Sequence, residues 1–446
     1  MKKEKLSTTQ IISLGFFVTV LLGAFLLVLP ISSASGEWTS FIDALFTSTT
    51  SVCVTGLVVV PTATYWSIFG QSVILLLIQI GGLGIIAITS AFLLMLNRKI
   101  NLKDAVLLEN AFNLDSLDAI VPFLKRVFLF TFCIEFIFFL LYLPIFINDF
   151  DLAGIRYALF HSVSAFCNAG IDIIGETSLY EYRGHVMMNI LTMLEIALGG
   201  IGFIVMFDVK KNFFSRKSRS LKRLSLHTKL VLLTTVVLIF GGAALFFIFE
   251  YNNPKTIGNS PLGEKILASL FQSVTTRTAG FASIPQSGLL PESVLLSCML
   301  MFIGGSPVGT AGGIKTTTAA VLLMSVAATL KNKKDTVIAN RRISAETIKK
   351  ATSVFVVAIL VVLFACLIMF ILTDFDAIDV TFEVASALGT AGLTRDLTPL
   401  LPASAKLTIA ICMFLGRIGP ISLVMFFSKK YETSSLRFAE ENITVG

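Results

Sequence analysis

The chain has 446 residues, of which 55% are hydrophobic and 14% charged, with 39 phenylalanines. That composition excludes a large soluble domain and describes a polytopic membrane protein. The net charge of +7 calls for no nucleic-acid partner, because the excess cations sit where the positive-inside rule puts them.

Met1-Lys2-Lys3-Glu4-Lys5 precedes an apolar run near 11–30. The run has the length of a full span and no small-residue cleavage pattern, so it reads as a retained helix and not a signal peptide. Next comes a shorter amphipathic stretch, 39–52, which ends at Val52-Cys53-Val54-Thr55-Gly56-Leu57 and leads into a second long run, 71–96. The same plan returns three times. First runs at 127–147, 229–250 and 352–372 precede short stretches at 153–166, 263–276 and 377–388, and second runs follow at 186–207, 292–328 and 404–428. The short stretches are too short to span a bilayer but suit a helix that dips in and returns as a loop.

The repeated hexapeptides are Phe166-Cys167-Asn168-Ala169-Gly170-Ile171, Thr276-Arg277-Thr278-Ala279-Gly280-Phe281 and Leu388-Gly389-Thr390-Ala391-Gly392-Leu393. Their glycines step by 114, 110 and 112 residues from Gly56, which divides the chain into four units, 1–100, 101–212, 213–334 and 335–446. The predicted fold is an all-α polytopic membrane protein of about eight transmembrane helices and four re-entrant helices around a central pore. Twenty-six of the 35 Lys and Arg lie in 1–10, 97–126, 208–229, 328–350 and 429–446. Both termini and the linkers are therefore expected in the cytoplasm, where basic linkers such as Lys210 to Lys229 suit anionic lipid or a cytosolic protein. The hexapeptides then approach from outside.

Non-helical backbone is tolerated inside a bilayer only where protein buries it or a water-filled cavity meets it. Four such loops converging on one axis would present a ring of carbonyls able to replace the hydration shell of a monovalent cation. A single Ala-Gly pair is more simply a helix-packing feature; four at matched offsets favour a selectivity filter. Its candidate residues are Cys53, Val54, Thr55, Gly56, Cys167, Asn168, Ala169, Gly170, Arg277, Thr278, Ala279, Gly280, Gly389, Thr390, Ala391 and Gly392, with the ion at the backbone carbonyls of Thr55, Ala169, Ala279 and Ala391.

With Thr275-Thr276-Arg277-Thr278-Ala279-Gly280-Phe281, the Gly304 to Thr318 stretch and Arg417, these loops make the whole chain resemble the Trk/Ktr/HKT superfamily of potassium transporters, and within it the bacterial KtrB-type ion-conducting membrane subunits. The resemblance implies one pore per chain, pairing as a homodimer, and potassium selectivity from glycine at all four positions. It also implies a separate cytosolic nucleotide-binding ring of RCK type, KtrA-like, because this chain has no such domain, and a bacterial cell membrane location. The basic linkers and Lys429 to Gly446 are the expected docking segments. Stimulation by sodium is compatible with the resemblance, although no residue here marks a sodium site. No cofactor is expected; nucleotide belongs to the partner.

Glycine clusters follow each filter glycine by 25, 29, 24 and 24 residues, at Gly81, Gly199, Gly304 and Gly416. Helix packing is the simpler reading of the first two. The third, Gly304-Gly305-Ser306-Pro307-Val308-Gly309-Thr310-Ala311-Gly312-Gly313-Ile314-Lys315, cannot be continuous helix, since proline removes a donor and each glycine costs ~1 kcal/mol relative to alanine. By resemblance it is an intramembrane gating loop, the bland alternative being a passive hinge. Arg417, a guanidinium in an apolar run, is expected to face the pore and that loop, the alternative being a side chain that snorkels toward the cytoplasmic surface. Arg277 is expected behind its own loop as a brace. Glu135 and Glu195 are expected to pair with linker cations or each other, and Asp172 to attract cations at the mouth. His161, His185 and His227 show no ligand spacing. The six cysteines form no CxxC pair.

The Lys315 stretch lacks the glycine a phosphate loop needs, Gly82-Leu83-Gly84 follows no strand, and no HExxH is present, so neither nucleotide binding nor catalysis is indicated. Two other readings stay open: a sodium-coupled symporter with alternating access, and a non-conducting scaffold for the cytosolic ring.

Overall fold

The computed structural model describes residues 8–84, 120–214 and 223–419. Predicted elements at 85–119, 215–222 and 420–446 lie outside them, including the end of the first and fourth second runs and the segment Lys429 to Gly446. Within the described residues the chain is mostly helical, with one two-residue hairpin, β1 (Val337–Ile338) against β2 (Arg341–Arg342).

The helices are α1 (Thr8–Val28), α2 (Phe41–Cys53), α3 (Ile68–Leu83), α4 (Ile120–Phe150), α5 (Gly154–Cys167), α6 (Val186–Gly200) and α7 (Phe203–Phe214), with a single turn at Thr62–Tyr65 before α3. They continue as α8 (Leu226–Glu250), α9 (Leu262–Thr275), α10 (Pro291–Phe302), α11 (Thr316–Leu330), α12 (Ala345–Leu372), α13 (Ala377–Gly389) and α14 (Ala403–Ile418). The long runs α1, α4, α8 and α12 are long and apolar enough to cross a membrane. Their outward faces carry large apolar side chains such as Phe25, Phe136, Phe240 and Ile371, the arrangement expected of surfaces solvated by lipid and not water.

Polarity runs the other way inside. The short helices α2, α5, α9 and α13 occupy the positions expected of the four short stretches, and they are buried along with their hydroxyls: Thr47 to Ser51 of α2 are all buried. Those hydroxyls satisfy neighbouring carbonyls, as a bilayer interior requires. Ser48 Oγ donates to Val20 O at 2.7 Å, Ser162 Oγ to Glu135 O at 2.7 Å and Ser273 Oγ to Ile239 O at 2.7 Å. Each contact pins a short helix to the long helix before it.

An ordered break was expected only in the third of the second runs, and the described residues show the other three interrupted as well. Alpha-helix α3 stops at Gly84 (φ +86°), α6 and α7 are bent apart by 99° around Gly202 (φ +91°), 303–315 separates α10 from α11, and α14 stops at Gly419 (φ +97°). Positive φ is a conformation only glycine adopts freely, so α3, α6 and α14 end where their clusters supply one, while α10 ends at Phe302, ahead of its cluster, with Ile303 at φ −91°. The preceding glycine of each cluster serves packing: a Cβ on Gly81, Gly199 or Gly416 would overlap Val52 O, Phe166 O or Leu388 O, at the end of a short helix.

Overpacking against backbone costs roughly 1–3 kcal/mol. Gly81→Ala should therefore lower the thermal unfolding midpoint of the purified protein, while Gly241→Ala, whose Cβ would meet nothing within 4 Å, should leave it unchanged or raise it slightly.

Candidate functional site

Each short helix ends three to five residues before its hexapeptide glycine. Two residues before that glycine the chain turns left-handed, at Val54, Asn168, Thr278 and Thr390 (φ +50° to +67°), and the glycines Gly56, Gly170, Gly280 and Gly392 also have positive φ, from +63° to +103°. Alternating hand along three residues is a strained pattern outside glycine, and strain of that kind concentrates at functional sites.

The four glycines meet. A Cβ built on Gly56 would lie 2.7 Å from Ala169 O, one on Gly170 2.5 Å from Ala279 O, one on Gly280 3.0 Å from Ala391 O, and one on Gly392 against Thr55 O. The contacts therefore run from each loop to the next and close from the fourth to the first. Only hydrogen fits at these positions. Thr55, Ala169, Ala279 and Ala391, named for their carbonyls, are the residues whose oxygens these contacts involve. Cys53, Cys167 and Gly389 are the last residues of α2, α5 and α13, one turn behind the ring.

On one side of the ring lies a cavity of about 130 Å³, lined by all four glycines and by Asp172, Glu176 and Asp396. Asp172 Oδ1 accepts from Ile174 N–H at 3.3 Å. Burial pushes its carboxyl up to about 6, the hydrogen bonds from Ser178, Ile174 and Gly175 opposing that shift.

On the other side the broken helices satisfy one another. Ile303 and Ile314 form a parallel bridge across the base of the 303–315 loop. Ser306 N–H donates to Gly200 O (3.0 Å) and Thr310 N–H to Gly199 O (3.2 Å), while Phe203 N–H donates to Val308 O (3.0 Å). Thr310 Oγ1 reaches Phe166 O at 3.1 Å, at the end of α5. Gly304 packs on Gly312 and Gly313, Gly305 on Ala311, and Gly309 on the carbonyls of Gly199 and Gly200. Pro307 O lies against Gly202. Lys315 sits at the start of α11, where a cation opposes the helix dipole, and is held by Ala311 O at 2.7 Å.

Arg417 ties this assembly together. Its guanidinium donates to Thr310 O of the loop and to Gly81 O and Gly82 O (3.3 Å) at the end of α3. The last carbonyls of a helix are its negative pole, and a cation is favoured there.

Two other charged residues have partners different from those expected. Glu135 accepts from Gln79 Nε2 at 3.0 Å and Glu195 from Ser162 Oγ at 2.7 Å. Neither forms an ion pair among the described residues; each is met by a neutral donor on an adjoining helix. Arg277 is buried beside a cavity of about 20 Å³ shared with Asn168 and Thr235, and its Nε has no partner among the described residues. His161 is packed 4.8 Å from the Phe281 ring and bonded to Thr192 at 3.0 Å. Sequence reasoning assigned Gly199 and Gly200 to packing alone and missed that their carbonyls receive the loop. The signal was Gly202, a helix-ending glycine two residues on.

Arg417→Ala strands the Thr310, Gly81 and Gly82 carbonyls, each worth about 1–3 kcal/mol if left unsatisfied. Hydrogen exchange of the Thr310 and Gly313 amides should accelerate relative to the wild type, whereas amides in α8 should not.

Comparison with known proteins agrees on the family. A family model, TrkH, cation transport protein, matches residues 7–437. The chain is 39% identical to the Ktr system potassium uptake protein B of Bacillus subtilis, covering 100% of this chain and 98% of the relative. It is 36% identical, over 100% and 98%, to the potassium/sodium uptake protein NtpJ of Enterococcus hirae. The crystal structure of the potassium transporter TrkH from Vibrio parahaemolyticus shares the fold, with a TM-score of 0.75 at 18% identity, covering 96% of this chain and 86% of that one. A membrane-embedded helical assembly with broken helices meeting at its centre, matched along nearly its whole length, is a member of the TrkH family of cation transport proteins and not an enzyme.

Proposed function

We propose that this protein conducts potassium into a bacterial cell through one pore per chain, built from four helix–loop–helix units around the glycine ring. The observation that carries the reading is the closed order of contacts among Gly56, Gly170, Gly280 and Gly392. It supports a ring in which the carbonyls of Thr55, Ala169, Ala279 and Ala391 replace water around a monovalent cation. Four short helices ending nearby add their negative poles, about half a charge each. Of the two relatives quoted above, one is named for potassium uptake and the other for potassium/sodium uptake.

The remaining residues take their roles from that axis. The acids around the outer cavity raise the local cation concentration. The loop from Gly304 to Lys315 closes the inner side, and Arg417 holds it closed through Thr310. Both termini face the cytoplasm, the chain pairs as a homodimer, and a separate nucleotide-binding ring shifts the loop. The Ktr system names of the relatives support a multi-component assembly. Selectivity follows from the absence of a Cβ at the ring.

Rubidium uptake into proteoliposomes under an inward-negative potential tests this. Serine at Gly56, Gly170, Gly280 or Gly392 should reduce the preference for potassium over sodium by about tenfold or more, ~1.4 kcal/mol; unchanged selectivity in all four would remove the filter. Single-channel currents, or flux approaching electrochemical equilibrium, distinguish a channel from a symporter with fixed sodium stoichiometry.

Asp172 supplies a pH readout. A carboxyl raised to about 6 is ionised above that pH and neutral below it, so wild-type uptake at limiting rubidium should fall as external pH drops through 6. Asp172→Asn should show low uptake at every pH and lose that dependence.

A further inference from the structure

The carbonyl one residue beyond each ring glycine is treated differently in the four loops. Ser164 Oγ donates to Ile171 O at 2.6 Å, and Thr275 Oγ1 donates to Phe281 O at 2.5 Å. Both side chains are fully buried. They reach the same target from different registers, since Ser164 precedes its glycine by six residues and Thr275 by five. The local backbone differs accordingly: Ala169 N–H reaches back to Ser164 O, whereas Ala279 N–H bonds Thr275 O and Arg277 N–H bonds Val274 O. One contact delivered by two local geometries points to selection of the contact itself.

The other two loops lack it. Thr50, at the position of Ser164, accepts from Gly56 N–H at 3.0 Å. Ser386, also at that position, has a buried Oγ with no partner. Among the described residues no donor reaches Leu57 O or Leu393 O. Ile171 and Leu393 both line the outer cavity, so this level is the one an ion meets just before the glycine ring.

A carbonyl whose lone pair is held by a hydroxyl on the short helix behind it is turned back toward that helix, and it is a poor substitute for water around an ion. An uncommitted carbonyl has no such restraint. We infer that Ser164 and Thr275 are positioning residues that make this outer level two-sided, with coordination offered by Leu57 and Leu393 of the adjoining first and fourth loops and withheld by Ile171 and Phe281. An arriving cation keeps part of its hydration shell on one flank here and completes its dehydration only at the glycine ring. This rests on the reading of that ring as a potassium filter.

The test is rubidium uptake by the full-length protein in proteoliposomes, competed with potassium and with sodium, for S164A, T275A, S386A, S164T and T275S beside G170S. Each of S164A and T275A is expected to lower the potassium-over-sodium preference about fivefold, the ratio given by loss of one typical hydrogen bond. The hydroxyl-retaining variants S164T and T275S should restore it, and S386A should behave as wild type. Wild-type preference in S164A and T275A, or an equal loss in S386A, overturns the inference. G170S separates the two levels: if it alone changes selectivity, only the hydroxyl role is lost, and if it too is unchanged, the filter reading fails. Should S164A not assemble, S164C is nearly isosteric with a weak donor; a preference between wild type and T275A supports the inference, and wild-type preference counts against it.

Discussion

A main-chain N–H or C=O inside a bilayer has no water to turn to, and nearly every irregular feature of this structure answers that constraint. Where α6 breaks, its terminal carbonyls at Gly199 and Gly200 are taken by N–H groups of the 303–315 loop, and the first N–H of α7 is taken by Val308 O. The end of α3 is taken by a guanidinium from α14. Breaks in three different parts of the chain are thus mutually dependent. Buried serine and threonine hydroxyls do the same for the short helices.

Glycine appears at two kinds of position in this scheme. At Gly81, Gly199 and Gly416 it brings one helix against the carbonyl end of another; at Gly84, Gly202 and Gly419 it lets the helix stop. The ring glycines combine both demands, since each has positive φ and each lies against the carbonyl of the neighbouring loop. Mutual close approach of backbones at the centre is possible because these four positions carry no Cβ.

Much of this was legible in the sequence because it is periodic. Hydrophobic run lengths located α1, α4, α8 and α12, and the matched spacing of Gly56, Gly170, Gly280 and Gly392 singled out the residues that the structure brings together. Run length could not show where the second helices break, because the residues flanking Gly202 are as apolar as those of a continuous span; a positive φ leaves no trace in hydropathy. Pairings across units were equally invisible. Glu135 was expected to pair with linker cations or with Glu195, yet Gln79, 56 residues away along the chain, supplies its donor. Arg417 stood out as a charge in an apolar run, but its contacts to Gly81 and Thr310 depend on three-dimensional proximity over more than 100 residues of separation.

The ring is assembled from one polypeptide, and its four quarters are not copies: the third short helix lacks the left-handed cap that ends the other three, and the clearances around the glycines differ. In an assembly of identical subunits, a single codon change appears in every quarter at once. Here it appears in one. Inheritance can therefore adjust one quarter of the ring while the other three are left untouched, giving gradations that a strictly symmetric oligomer has no single-step route to reach.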